Sequence, residues 1–384
     1  MFKFNLSKSK IILILGILLI FLIGISAIFN LRQKPQFQPL LETTNSPKIK
    51  KELKINLVGT YPLVTHPALV KKIVIQDNKY LYIGGGHDLE IIDVNNPTQP
   101  ITLRFPEQNT GVIIEEIDIR GNYLYVIERD ISDTVYFKVW DVSNPLKFKN
   151  LGFYDSGSKF YPNSITGIDN YVFFGTANGL LIFDISNPEN TVQVGSHETG
   201  IYNNEAYELG SIEKMVISGN YLYAIGGYGK IKKEKNKIGD SNFVTSFLIF
   251  DISNRTTPVL VGKNDTVTLP ESIFLSDKIV YILTRATPKA GLYIFDASNP
   301  NNIVLLGAYQ KEGLRDLYLS NYYAYITSRD SLLILDISNP AKPTLIEEVP
   351  GDFRAIAGSG NFIYTITPKP DEPGVSLLKI FEIK

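Results

Sequence analysis

The sequence predicts an all-β fold, a seven-bladed β-propeller of four-stranded blades. Two recurring landmarks and a match between the two ends of the chain predict it. The first landmark is a five-residue pattern ending an apolar run. It stands as DVNNP from Asp93, DVSNP from Asp141, DISNP from Asp184, DISNR from Asp251, DASNP from Asp296 and DISNP from Asp336, with a shortened copy at Phe381-Glu382-Ile383-Lys384. Successive copies lie 40 to 67 residues apart, the period of stacked β-units rather than of helical hairpins in a chain so rich in Tyr and Phe.

The second landmark is an aromatic strand before each copy, centred on Tyr82, Tyr125, Phe173, Tyr223, Tyr281, Tyr325 and Tyr364. Each follows a short turn such as Ser218-Gly219-Asn220, the signature of a hairpin. A third strand runs into the Asp, as in Leu180-Leu181-Ile182-Phe183, and a fourth follows the Pro, as in Val259-Leu260-Val261-Gly262. Four strands per repeat is the content of a propeller blade. The last copy lacks its fourth strand. Leu57-Val58-Gly59-Thr60-Tyr61 matches Leu305-Leu306-Gly307-Ala308-Tyr309, so an N-terminal strand is expected to complete the last blade and remove the exposed sheet edges.

These motifs resemble those of the LVIVD repeat family over about residues 53–384. There a Gly-Asn-Tyr-x-Tyr strand precedes an apolar run into Asp-x-Ser-Asn-Pro. The resemblance implies a propeller in a surface or exported protein and is nearly silent on activity. Arg255 stands where Pro is usual and Asn95 where Ser is usual.

Composition narrows the chemistry. The net charge of the 384 residues is -1, which gives no general attraction to nucleic acid. Cysteine is absent, which excludes disulfides, thiol nucleophiles and thiolate metal sites. Three histidines, His66, His87 and His197, leave little for a His-based metal centre, and no cofactor is expected. Ile11 to Phe29 is a run of nineteen residues without a charge, long enough to span a bilayer as a helix. Lysines before it place residues 1–10 in the cytoplasm. The expectation is a signal-anchor over 11–29, with a cleaved signal peptide as the rival reading. A Pro-containing linker over 30–52 follows, and the propeller over 53–384 lies on the extracytoplasmic side, at the cell surface or in the periplasm.

The Asp-x-Ser-Asn-Pro loops carry oxygen ligands, but with one carboxylate each they read as tight turns rather than Ca²⁺ loops. Gly84-Gly85-Gly86-His87 lies between strands with no helix to follow, so it reads as a turn and not a phosphate loop.

Aligning the repeats singles out Lys72, Glu115, Asn163, Glu213, Glu271, Arg315 and Arg354, each ten residues before its aromatic landmark. They are expected as a polar ring at the mouth of the central channel. Two residues later come Val74, Ile117, Ile165, Met215, Ile273, Leu317 and Ile356, expected by alternation on the same face and packed between blades. The ring reads either as mutual Arg–Glu pairing or as a pocket for a zwitterionic or polyhydroxy ligand.

Blade four is longer than the rest. It holds a lysine-rich insertion with Lys232, Lys233 and Lys235, beside a long connection through His197, Tyr202 and Tyr207. Both are candidate partner-binding loops. The leading functional expectation is a membrane-tethered scaffold binding a protein or glycan partner through its long-loop face. The alternative is a carbohydrate-directed hydrolase or lyase using Glu115, Glu213, Glu271, Arg315 and Arg354, which needs two nearby carboxylates not already bridged to Arg.

Overall fold

The computed structural model describes residues 53–384, except 64–69, 104–110, 156–161, 231–232, 235–236, 239–243, 268, 286–288 and 373. The expected N-terminal span, its linker and His66 lie outside these residues. Among the described residues no helix is long and apolar enough to cross a membrane.

The described chain is a seven-bladed propeller. Blade one comprises β2 (Val70–Gln76), β3 (Tyr80–Gly85), β4 (Asp88–Asp93) and β5 (Ile101–Leu103). Blade two is β6 (Val112–Arg120), β7 (Tyr123–Asp130), β8 (Val135–Asp141) and β9 (Lys149–Asp155); blade three is β10 (Pro162–Ile168), β11 (Tyr171–Thr176), β12 (Gly179–Asp184) and β13 (Val192–His197). Blade five is β21 (Pro270–Ser276), β22 (Ile279–Thr284), β23 (Gly291–Asp296) and β24 (Val304–Gln310); blade six is β25 (Leu314–Ser320), β26 (Tyr323–Ser328), β27 (Ser331–Asp336) and β28 (Thr344–Pro350). Blade seven takes β29 (Ile356–Ser359), β30 (Phe362–Pro368) and β31 (Ser376–Ile383) from the end of the chain and β1 (Ile55–Leu63) from its start. The registers Ile55↔Ile383 and Leu63↔Ser376 close the ring as the sequence predicts.

Blade four departs from the expected four strands. Beyond β15 (Glu205–Ser218), β16 (Tyr221–Lys230), β19 (Val244–Asp251) and β20 (Val259–Asn264) it has a fifth strand, β14 (Thr199–Tyr202), paired to the extended start of β15. Asn203 and Asn204 both adopt positive φ (52° and 63°), the geometry of a two-residue hairpin turn. The connection expected as a loop is therefore a hairpin. Its Asn-Asn pair between alternating residues was the available signal. Within the insertion, β17 (Lys233–Glu234) and β18 (Lys237–Ile238) form a separate two-stranded ribbon.

The core lies between blades. Each of the seven aromatic landmarks is buried, and seven apolar clusters form, one per blade interface. Tyr125 of blade two, for example, packs with Ile165, Val172, Phe174 and Phe183 of blade three. The apolar set two residues after the polar ring lies in these interfaces, with Ile117, Ile165 and Leu317 buried and Met215 packed partly exposed.

The Asp-x-Ser-Asn-Pro loops are turns that use their polar groups internally. Asp Oδ1 accepts the backbone N–H two residues on in all six copies, at 2.7–2.9 Å. The residue after the Asp donates its N–H to the turn of the first hairpin, as in Val142 to Asn122 O (2.8 Å) and Ile337 to Tyr322 O (2.8 Å); Ile383 does so to Asn361 O at 2.7 Å in the truncated copy. The loop also buttresses the preceding blade. A Cβ at Gly152, Gly195, Gly262 or Gly307 would lie 1.8–2.4 Å from a carbonyl oxygen of the next blade's loop. Only glycine lets the fourth strand pass that close. Arg255, in the place of proline, donates to Ile252 O (2.6 Å) and pairs with Asp169 of blade three (3.0 Å).

Candidate functional site: the channel mouth

The first strand of most blades begins with a bulge. In blade two Ile114 opposes Glu128 and Glu116 opposes Ile127, so Glu115 is the extra residue. The same interruption leaves Asn163, Glu213, Glu271 and Arg315 extra in blades three to six. A bulge breaks alternation and re-aims the next side chain. The predicted ring thus sits on the bulges at the mouth, and the following residue turns to the axis.

Blade one corrects the alignment. Its first hairpin turn has three residues, Asp77-Asn78-Lys79, against two in blade two. Lys72, opposite Gly84, is therefore the counterpart of Glu116, not of Glu115, and Lys71 holds the bulge. Counting from the turn rather than from the aromatic would have found this. The inward set is Lys72, Glu116, Ser164, Lys214, Ser272 and Asp316.

These residues meet across the ring. Glu116 is buried and accepts from Lys214 Nζ at 2.8 Å, with Lys72 Nζ 3.5 Å from its other oxygen. Lys72 also lies 3.5 Å from Asp118, which pairs with Arg120 at 3.2 Å. Burial alone would raise Glu116, but Lys214 and Lys72 hold its carboxyl below the usual range. Burial alone would lower Lys72, but Asp118 and Glu116 hold it above the usual range. Asp316 differs: burial pushes its carboxyl up to about 6, against the opposing pull of the Ile356 and Leu317 N–H groups that it accepts at 3.0 and 2.9 Å. Sequence reasoning missed Glu116, Asp118, Lys214 and Asp316. Their signal was a second charged residue directly after the ring position, as in Glu115-Glu116, Glu213-Lys214 and Arg315-Asp316, with Asp118 two residues further on.

The bulge residues find partners outside the ring rather than in one another. Glu115 accepts from Arg129 Nη2 (2.7 Å) and Nε (2.9 Å), Glu271 pairs with Arg285 (2.8 Å), and Asn163 Nδ2 donates to Ser211 Oγ (2.6 Å). Arg315 and Arg354 share Asp352, Arg354 at 3.0 Å, and Arg315 also donates to Phe353 O (2.9 Å). The expected mutual Arg–Glu pairing within the ring does not occur. Glu213 is exposed and makes no ion pair with a described residue.

Two adjoining cavities open here. One of about 540 Å³ is lined by Glu115, Glu116, Glu213, Glu271, Lys214 and Arg285 among others; one of about 320 Å³ is lined by Lys72, Lys214, Glu271, Arg315, Asp316 and Arg354, over Met215, Ile273 and Phe274. Lys214 and Glu271 line both. The larger cavity is mainly acidic and the smaller mainly basic. Among the described residues no group of His, Asp and Glu is placed to hold a metal ion.

The blade-four candidates divide. Tyr207 is buried and stacked on Tyr228 (5.4 Å between centroids), so its side chain is out of a partner's reach. Its hydroxyl meets His197 Nε2 at 2.5 Å, and burial lowers His197 below the usual histidine range. Tyr202 is half-buried against the same cluster, while Ile201 at the hairpin tip is 73% exposed. Lys232 and Lys235 lie outside the described residues, and Lys233 is placed only as part of β17.

Repeat matches confirm what the blades display. The LVIVD repeat model matches residues 70–104, 114–155, 163–199, 238–266, 271–311 and 314–349. The chain is a member of the LVIVD repeat family. No curated protein matches its sequence. Among solved structures it is similar to the β-propeller domain of Cps50 (Swd1) from Myceliophteria thermophila, at 12% identity and a TM-score of 0.58, covering 86% of this chain and 100% of that one. It is also similar to YCF48 bound to D1 peptide (12% identity, TM-score 0.54, 84% and 94% covered) and to the computationally designed Ika8 protein (13%, 0.51, 84% and 98%). At these identities the likeness is one of fold.

Proposed function

We propose that this LVIVD-repeat propeller is a non-enzymatic binding scaffold, tethered to a membrane by residues 11–29 and facing the extracytoplasmic side, that captures a protein or glycan partner on its channel-mouth face. The observation that carries it is the asymmetry of the two faces. The Asp-x-Ser-Asn-Pro face closes its polar groups on itself. The mouth face holds an open cavity of about 540 Å³, an exposed carboxylate at Glu213 and the exposed tip of the β14–β15 hairpin. Open polar concavities and irregular loops on a rigid scaffold are where recognition resides. YCF48, a fold relative, has been seen with a peptide bound, which makes a polypeptide partner reasonable for a propeller of this build. The nineteen uncharged residues from Ile11 to Phe29 support the tether. The bridging of Glu115 and Glu271 to arginines weighs against the hydrolase or lyase alternative, which needs two neighbouring carboxylates free of such pairing.

The test is capture from envelope extract by immobilised residues 53–384, with and without residues 230–242. The intact face is expected to retain a partner that the deletion loses while the melting temperature is unchanged. Equal capture by both proteins refutes the face assignment.

A further inference from the structure

The smaller cavity gathers cations from four blades: Lys72 from blade one, Lys214 from blade four, Arg315 from blade six and Arg354 from the entry to blade seven. Their counter-charges fall short. With Arg120 there are five cations; among the described residues they pair to three carboxylates, Glu116, Asp118 and Asp352, and the fourth carboxylate facing them, Asp316, already accepts two backbone N–H groups. Arg315 and Arg354 share one carboxylate, and Lys72 and Lys214 share another. Arg354 lines the cavity with its side chain about 33% exposed, while its Nε is buried without an acceptor. Glu271, on the cavity's other side, is taken by Arg285.

We propose that this cavity is an oxyanion site that takes a carboxylate group, with Lys72, Lys214 and Arg354 as its donors and Asp316 as a proton-linked neighbour. The inference goes beyond the scaffold reading and does not depend on it. The shared chemistry is one carboxylate, on a free small acid or on the acidic end of a polypeptide. Guanidinium and ammonium groups converging from several blades suit it because each N–H···O⁻ contact is charge-assisted. Met215, Ile273 and Phe274 line the same cavity and make part of its wall apolar, which strengthens such contacts.

Asp316 sets the pH dependence. The charged groups facing it are Lys72 on β2, Lys214 on β15, Glu271 on β21, Arg354 before β29 and its own neighbour Arg315. A carboxylate bound among these cations repels the Asp316 carboxylate and favours its protonation. Binding therefore takes up a proton and tightens as pH falls through the range where Asp316 titrates.

The experiment is calorimetric titration of the full-length protein in detergent at low ionic strength, with succinate, with the peptide Gly-Gly-Asp-Asp, and with chloride as control. Saturable binding of succinate or the peptide is expected, about tenfold tighter at pH 5.5 than at pH 8, for a mutual shift of about one pK unit. Arg354→Gln and Lys72→Met are expected to weaken it at least about tenfold, the scale of one charge-assisted contact. Asp316→Asn is expected to bind with little pH dependence. Succinate binding identifies the site as one for a small acid; peptide binding without succinate identifies a chain end. No saturable heat above chloride overturns the proposal. So does binding that both cation variants, melting as the parent does, leave within twofold.

Discussion

The two faces of this ring are built from the same strands and differ in how they treat polar groups. On the Asp-x-Ser-Asn-Pro face, every Asp is satisfied by a backbone N–H two residues away, and the next residue latches the turn of its own hairpin. These contacts are local, so they repeat with the sequence. On the mouth face the pairing varies: Glu116 of blade two meets Lys214 of blade four, while Glu115 and Glu271 pair with arginines of their own blades. Such contacts need not repeat, and they do not. A repeat protein can thus keep one face for construction and let the other diverge.

The largest expected effect concerns the ring on which both faces depend. Removing residues 1–63 takes away β1, which supplies the outer strand of blade seven through registers such as Leu57↔Phe381 and Thr60↔Lys379. The truncated chain should expose the β31 edge, lose cooperative urea unfolding and aggregate. Removing residues 1–52 should preserve the transition of the ring. Size-exclusion chromatography and urea titration of the two truncations test this. A soluble, cooperative 64–384 chain would mean that the closure is dispensable.

Construction on the repeat face can be broken at single points. A Cβ on Gly307 would lie 2.3 Å from Pro340 O of the next blade, so Gly307→Val should lose about 3 kcal/mol or more by overpacking. Gly219, with φ +57° and open space within 4 Å of where a Cβ would stand, gives the contrast. There Gly219→Ala should lose about 1 kcal/mol from backbone strain alone. Urea unfolding ranks the two, and equal losses would mean that the blade contact is not tight. Of similar size, Asp251→Ala removes the acceptor for Ser253 N–H (2.8 Å) and should lose about 1 kcal/mol without affecting any binding at the mouth.

The contrast between the faces also decides what could be read from the sequence. Local features were legible. The Asp-x-Ser-Asn-Pro turns, the aromatic core strands and the strand shared by the termini are each a contiguous signal, and all are found where expected. The mouth was legible only in part. Glu115, Asn163, Glu213, Glu271 and Arg315 are equivalent positions, but the bulge that holds them is a property of pairing between strands. One extra residue in the Asp77-Asn78-Lys79 turn moved Lys72 out of that set. The partners Arg129 and Arg285 come near through the pairing of each blade's own first hairpin, and Asp352 through the meeting of blades six and seven, none of which is a contiguous signal. Tyr207 looked like a loop residue until Asn203-Asn204 folded it into a hairpin and buried it.

The smallest effect sharpens the comparison from the mouth side. The folded pKa of Asp316, raised to about 6, exceeds its unfolded value of about 3.9, so the ionised group is less comfortable in the ring than in the open chain. Its unfavourable contribution is present at pH 7 and is relieved as pH falls through 6 towards 4. Glu116 has the opposite sign: its carboxyl is held low by Lys214 and Lys72 despite burial, and its contribution is lost only as pH falls below the ordinary carboxylate range. His197, lowered by burial, favours the unfolded chain as pH falls below about 6.5, in parent and variant alike. The difference between parent and Asp316→Asn cancels the last two. On lowering the pH from 7.5 to 5, the parent should gain stability relative to the variant, read as converging or crossing urea midpoints. The same experiment on Asp141→Asn, at the repeat face, should show no such convergence, because hydrogen bonds from the Ser143 side chain and backbone hold that carboxyl below its usual range. A parent-minus-variant difference that stays flat from pH 7.5 to 5 would place Asp316 with the self-satisfied turns rather than with the strained charges of the mouth.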